Sequence, residues 1–247
     1  MRILIANDDG IYSPGLRALA EIASGFGDVC IFAPDVEQSS MGHAITHSRP
    51  LRVRKTPIGD LNAFRVNGTP ADCVALGLDY WKDTSLVLSG INLGSNLGNA
   101  TWHSGTLAAA KQAVLLGCRG IALSTPVGST EPDFAALAPY VTAVIELLLA
   151  AESLRLVNVN FPPVPNGLCW TRMAVRAYDG HIVPTDDPLG RRLFWLSIRA
   201  IEQAEEGTDL WAVRHNYVSL TPLQLDLTDR SALEEARARW GKDTAKL

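Results

Sequence analysis

The chain has 247 residues, 47% of them hydrophobic and 19% charged, with a formal net charge of −4. That length suits one large α/β domain or a domain plus an appendage, and the acidic balance removes any electrostatic case for binding a nucleic-acid polymer or an anionic membrane. The longest apolar stretch, YVTAVIELLLAA, carries Glu146 and falls short of the ~18 residues that a membrane span needs.

Taken in chain order, RILIAN reads as a buried strand, because Ile3 to Ala6 are all apolar. Ser13 and Pro14 supply a cap and a first helical residue. Leu16, Leu19, Ala20 and Ala23 then mark one helical face, and Gly25 and Gly27 stop the helix. DVCIFAP and AFRVNG are two further strands. Between them, Arg49, Arg52, Arg54 and Lys55 alternate with apolar residues and read as the solvated face of a strand. Thr69 and Pro70 open a helix with Val74, Leu78 and Trp81 at helical spacing, SLVLSGIN is a strand, and SGTLAAAKQAVLLG is a helix closed by Gly117. RGIALS and RLVNVNFP are strands on either side of a helix within Asp133 to Glu152, which Pro139 either kinks or truly begins.

Beyond Pro162 the texture changes. Short alternating segments, FWLSIRA and LWAVRHNYVSLTP, predict an antiparallel appendage, and DRSALEEARARW predicts a C-terminal helix. The expected class is therefore α/β: a three-layer, Rossmann-like, mostly parallel sheet over residues 1–163, followed by a β-rich extension and helix over 164–247. Cys30, Cys73, Cys118 and Cys169 form no CxxC pair and sit among apolar neighbours, so buried reduced thiols are expected. The N-terminal apolar run is too short for a signal peptide, and the expected location is cytoplasmic.

In an open parallel sheet, ligands bind beyond the carboxyl ends of the strands. Asp8 and Asp9, the segment APDVEQSS, and SGINLGSN all fall at such ends. Adjacent side chains on a strand face opposite ways, so two neighbouring aspartates reach one point only if the chain turns, as Gly10 permits. Two close carboxylates repel unless a cation lies between them, and Asp, Ser and Asn oxygens are hard donors suited to Mg²⁺ or Mn²⁺. The competing reading is that Asn-Asp-Asp-Gly is simply a good turn.

Gly90, Gly94 and Gly98 recur at four-residue intervals with Asn92 and Asn96 between them. Glycine lets backbone approach a ligand, and asparagine offers both donor and acceptor. Ser104, Gly105 and Thr106 begin an Ala-rich helix whose N–H groups suit phosphate; alternatively Ser104 only caps that helix. The spacing is neither GxGxxG nor a Walker loop, there is no GxSxG elbow, and His43 and His103 are either surface groups or candidates to contact phosphate.

NDDG, APDVEQSSMGHAIT, NGTPADCV, SGINLGSNLG and HSGT, in that order, resemble the stationary-phase survival protein SurE family of 5′/3′-nucleotidases, and DDPLGRRLFW and GTDLWAV resemble its later segments. The resemblance implies metal-dependent removal of phosphate from nucleoside monophosphates, with breadth that extends to short polyphosphate. It puts the metal ligands on Asp8, Asp9, Ser39 and Asn92, catalytic duty on the two aspartates, and phosphate binding on Asn96, Ser104, Gly105 and Thr106. It also implies a homodimer or homotetramer that exchanges the C-terminal segment, for which Leu233, Ala236 and Trp240, at helical spacing, would supply the docking face. The family commonly has proline and tyrosine where this chain has Ser95 and His103. A nucleotide-sensing module and a general acid phosphatase are the alternatives.

Overall fold

The computed structural model describes residues 1–241. The first strand, β1 (Arg2–Ala6), pairs in parallel with β2 (Asp28–Pro34) and with β5 (Leu86–Leu93). Around this centre a nine-stranded sheet assembles in the order β3-β4-β2-β1-β5-β6-β7-β11-β8. The remaining members are β3 (Val53–Lys55), β4 (Asn62–Val66), β6 (Arg119–Thr125), β7 (Leu156–Asn160), β8 (Gly167–Trp170) and β11 (Tyr217–Leu223). The strands from β4 to β7 are parallel, as continuous apolar runs require when both faces are covered.

Helices α1 (Pro14–Ala23) and α4 (Phe134–Ala150) cover one face, and α2 (Pro70–Tyr80) and α3 (Gly105–Leu115) the other. Successive residues of β1 serve opposite layers. Ile3 and Ile5 pack in the α1/α4 core, and Leu4 and Ala6 pack with Phe32 and Phe64 on the α2 side. The face expected of α1 is buried as read, with Leu16, Leu19, Ala20 and Ala23 all inaccessible.

Sequence and structure part at four places. Pro139 lies inside α4 and does not begin it, because the Asp133 side chain accepts from Ala136 N–H and starts the helix six residues earlier. LWAVRH is helical, not extended: α5 (Asp209–Arg214) is capped by Thr208, whose hydroxyl accepts from Trp211 N–H. Two strands of the extension, β11 and β8, join the main sheet, with β11 antiparallel to β7 and parallel to β8. Cys169, on edge strand β8, is half-buried, whereas the other three thiols are buried.

The antiparallel part of the extension is a hairpin, β9 (Tyr178–Asp186) and β10 (Arg192–Ala200), that forms its own two-stranded sheet. The C-terminal helix α6 (Arg230–Trp240), capped by Asp229, buries no residue. No described helix is long and apolar enough to cross a membrane.

Candidate active site

The site is assembled where β1, β2 and β5 end and α3 begins. After Ala6 the chain turns through Gly10 (φ +98°), a conformation that glycine adopts without strain. Asn7, fully buried, steadies the turn by donating to the Gly10 carbonyl at 2.9 Å. The turn sends the two aspartates to different neighbours. Asp8 is 4% exposed and accepts from the Thr106 hydroxyl at 2.6 Å, whereas Asp9 accepts from Leu93 N–H at 3.1 Å.

Burial raises the pKa of both carboxyls. For Asp8 the Thr106 hydroxyl and the N–H groups of Thr106 and Gly105 oppose that rise. Asp9 is pushed up to about 6, first by burial and then by the negative charges of Asp8 and Glu37, against the Leu93 hydrogen bond. Two adjacent acids in this state are what a cation would relieve.

Gly105 explains the closeness of α3 to Asp8. A Cβ placed on it would stand 2.7 Å from the Asp8 Cβ, so no side chain fits. The positive end of α3 is thereby laid on the carboxylate. Ser104 caps the helix, its hydroxyl accepting from Leu107 N–H at 3.0 Å. Thr106 commits its hydroxyl hydrogen to Asp8, so that hydroxyl supports the acid and does not stand ready to donate to a phosphate.

Ser39 and Asn92 present free oxygens. The Ser39 hydroxyl donates to Glu37 at 2.6 Å, which keeps its lone pairs available. Asn92 donates its amide N–H to the Gly94 carbonyl at 2.6 Å, which leaves Oδ1 as the unengaged end. Asn96 is tied more firmly: its Nδ2 donates to Ser124 at 2.8 Å, its backbone N–H to Asn160 at 2.8 Å, and its carbonyl accepts from Asn158 at 2.8 Å. This buried amide network lies under the loop and was not legible beforehand, since its members come from the loop after β5 and from strands β6 and β7.

A cavity of about 580 Å³ brings Asp8, Ser39, Asn92, Asn96, His103 and Ser104 together. Asp9 lines an adjoining cleft of about 600 Å³, and Ser39 and Leu93 border both. The far wall of the first cavity is Tyr178, Gly180, Leu196 and Ile198 from the hairpin, residues that no motif singled out. Alternation along β9 and β10 was the available signal, because the register Gly180↔Ile198 puts all four on one face.

The recurrent glycines have a different reason from the one expected. Gly90 is buried inside β5, where a Cβ would meet the Leu123 carbonyl at 2.2 Å, so it serves strand packing and not ligand approach. Gly98 N–H donates to Asp209 at 2.9 Å, and the same carboxylate accepts from Ala174 N–H, binding the loop to the extension. His43 pairs with Gln112 at 2.8 Å.

Among the described residues, no three His, Cys, Asp or Glu side chains cluster to hold a metal ion. The donor set here is instead two carboxylates with neutral Ser and Asn oxygens, which fits a hard divalent cation.

A sequence profile described as Survival protein SurE matches residues 3–180. The chain is 45% identical over 241 residues to 5′-nucleotidase SurE 1 of Thermus thermophilus, covering 95% of this chain and 96% of that one. It is 43% identical over 243 residues to 5′-nucleotidase SurE of Deinococcus radiodurans, covering 95% and 91%. The crystal structure of the SurE protein from Aquifex aeolicus superposes with a TM-score of 0.85 at 37% identity, over 97% of this chain and 99% of that one. With the profile, the relatives and the fold agreeing over this extent, the chain belongs to the SurE family.

Proposed function

We infer that this protein is a divalent-cation-dependent phosphomonoester hydrolase that releases phosphate from nucleoside 5′- and 3′-monophosphates and also from short polyphosphate. The observation that carries the reading is the seating of Asp8 against the first turn of α3, which joins a carboxylate pair to a phosphate-binding helix start. Asp8, Asp9, Ser39 and Asn92 would hold the cation. Mg²⁺ or Mn²⁺ in that place supplies neutralisation of phosphate charge and activation of water.

The chain's own residues do the rest. Asn96, fixed by its amide network, and Ser104, at the mouth of α3, hold the phosphate. Gly105 and Thr106 contribute the positive end of the helix, which favours charge developing on the phosphoryl oxygens. The ester P–O bond breaks, the phosphate keeps the incoming oxygen, and the nucleoside leaves as its alcohol. Attack by water and attack by an aspartate with a phosphoryl-enzyme are the two routes, and the first needs no second displacement.

Two bare apolar surfaces support a homodimer or homotetramer built through residues 164–247. On the hairpin Phe194 is 63% and Trp195 66% exposed, and on α6 Trp240 is 65% exposed. Cys30, Cys73, Cys118 and Cys169 are unbridged, which fits a reducing compartment and supports a cytoplasmic location.

The test is phosphate release from AMP with Mn²⁺, Mg²⁺ or excess chelator, for the parent and Asp9→Asn. Activity confined to metal-loaded parent supports the reading. Full activity in chelator sinks it, and faster turnover of p-nitrophenyl phosphate than of every nucleotide favours a general phosphatase.

A further inference from the structure

A second charged feature lies two strands along the same carboxyl edge of the sheet, where Asp35 borders both its cleft and the Asp9 cleft. In the antiparallel pairing of β3 and β4, Arg54 stands directly opposite Arg65. The ladder continues to Arg52 and Asn67: Arg52 N–H donates to the Asn67 side-chain oxygen at 2.6 Å, and Asn67 N–H to the Arg52 carbonyl. In the parallel pairing of β4 and β2, Arg65 stands beside Ala33. Residues two apart share a face, so Arg52, Arg54, Arg65 and Asn67 share one with Ala33 and Asp35. Together Asp35, Arg52, Arg54, Arg65 and Asn67 line a cleft of about 170 Å³.

The arrangement carries an electrostatic cost. Like charges directly opposite one another destabilise a sheet. Among the described residues, none of these three guanidinium groups forms an ion pair or donates a hydrogen bond. Asp35 is the one carboxylate on the cleft, against three positive charges, in a chain whose net charge is −4. Protection of an exposed edge accounts for charges on β3. It does not account for Arg65, whose strand is covered on both sides, by β3 and by β2.

We propose that this cleft binds a phosphate-bearing anion at a site separate from the Asp8–Asp9 centre. Guanidinium forks match phosphate oxygens in pairs. The reading does not rest on the activity proposed above, because no residue of the cleft belongs to that site's donor set.

The experiment is calorimetric titration of inorganic pyrophosphate into the full chain in excess chelator. The parent should bind saturably, with affinity that falls steeply as salt rises. Arg54→Ser combined with Arg65→Ser should weaken binding at least tenfold, and Arg54→Lys should weaken it less, since lysine keeps charge without the fork. AMP hydrolysis by these variants with metal present should match the parent. Should the double variant fail to fold, Arg52→Ser and Arg54→Ser, each at an exposed side chain, carry the same comparison. Absence of saturable binding by the parent, or equal affinity in the variants, overturns the proposal.

Discussion

The Thr106 hydroxyl donates to Asp8 at 2.6 Å across 98 positions of chain. This bond ties the end of β1 to the start of α3 and fixes which way one of the two acids points. Thr106→Val removes the donor but keeps the shape, so a buried carboxylate loses a partner. Stability should fall by about 1–3 kcal/mol, measured by denaturant unfolding, and AMP hydrolysis should fall with it. Thr106→Ser, which keeps the hydroxyl, should recover most of both.

Gly105→Ala is the sharper probe. Its Cβ would sit 2.7 Å from that of Asp8, so the acid or the helix must move. Turnover should fall more than tenfold, equivalent to about 1.4 kcal/mol of lost transition-state stabilisation. Divalent-cation affinity, read by calorimetry without substrate, should fall too. A variant with normal metal affinity and lost turnover would show that the helix start serves phosphate alone. Because of this contact, a substitution at Gly105 should disturb metal and phosphate binding together.

Acid sensitivity should trace to Asp72. Burial alone would raise its pKa, but hydrogen bonds from Thr46 N–H and Thr69 N–H at 3.0 and 2.9 Å outweigh that and lower it below 3.8. A carboxyl with a lowered folded-state pKa adds stability that is complete above 3.8 and is lost as pH falls through the lowered value. Asp72→Asn should therefore flatten the stability profile below pH 3.8, read by thermal melts at stepped pH. An unchanged acid limb would assign the sensitivity elsewhere. Thr69→Ala, which deletes the other half of this capping box, should cost about 1 kcal/mol at neutral pH.

Association should depend on α6. Among the described residues the helix has none that is fully buried, yet Leu233 and Trp240 lie on one stripe. Sedimentation of the parent at micromolar concentration should give a mass above the 26.6 kDa of one chain, and Trp240→Glu should shift it toward that value. A parent that sediments as one chain would count decisively against the assembly.

What could be read in the sequence was whatever local chemistry decides. Strands such as RILIA are continuous apolar runs because two helix layers cover them, and Thr69-Pro70 announces a helix start through a cap that the structure contains. LWAVRH defeated that reasoning because six residues fit either period, and the Thr208 cap decided it. The Asp8–Thr106 bond, the Asn96 network and the hairpin wall escaped because each joins residues more than 25 positions apart. Residue types mark the chemistry of such groups; only the sheet order makes them neighbours.

The hairpin has a consequence beyond its place in the cavity wall. Its apolar face closes the cavity with Gly180, Leu196 and Ile198, then runs on past it to Ile182 and Phe194, which are 60% and 63% exposed. One ribbon thus carries two contact surfaces, and among the described residues no ladder to the main sheet anchors it. Under the assembly proposed above, a neighbouring subunit covering the outer half and a nucleotide lying under the inner half bias the same element. Their free energies are then coupled, and the coupling is reciprocal. Dilution would cost the enzyme affinity for its substrate, and substrate would draw the subunits together.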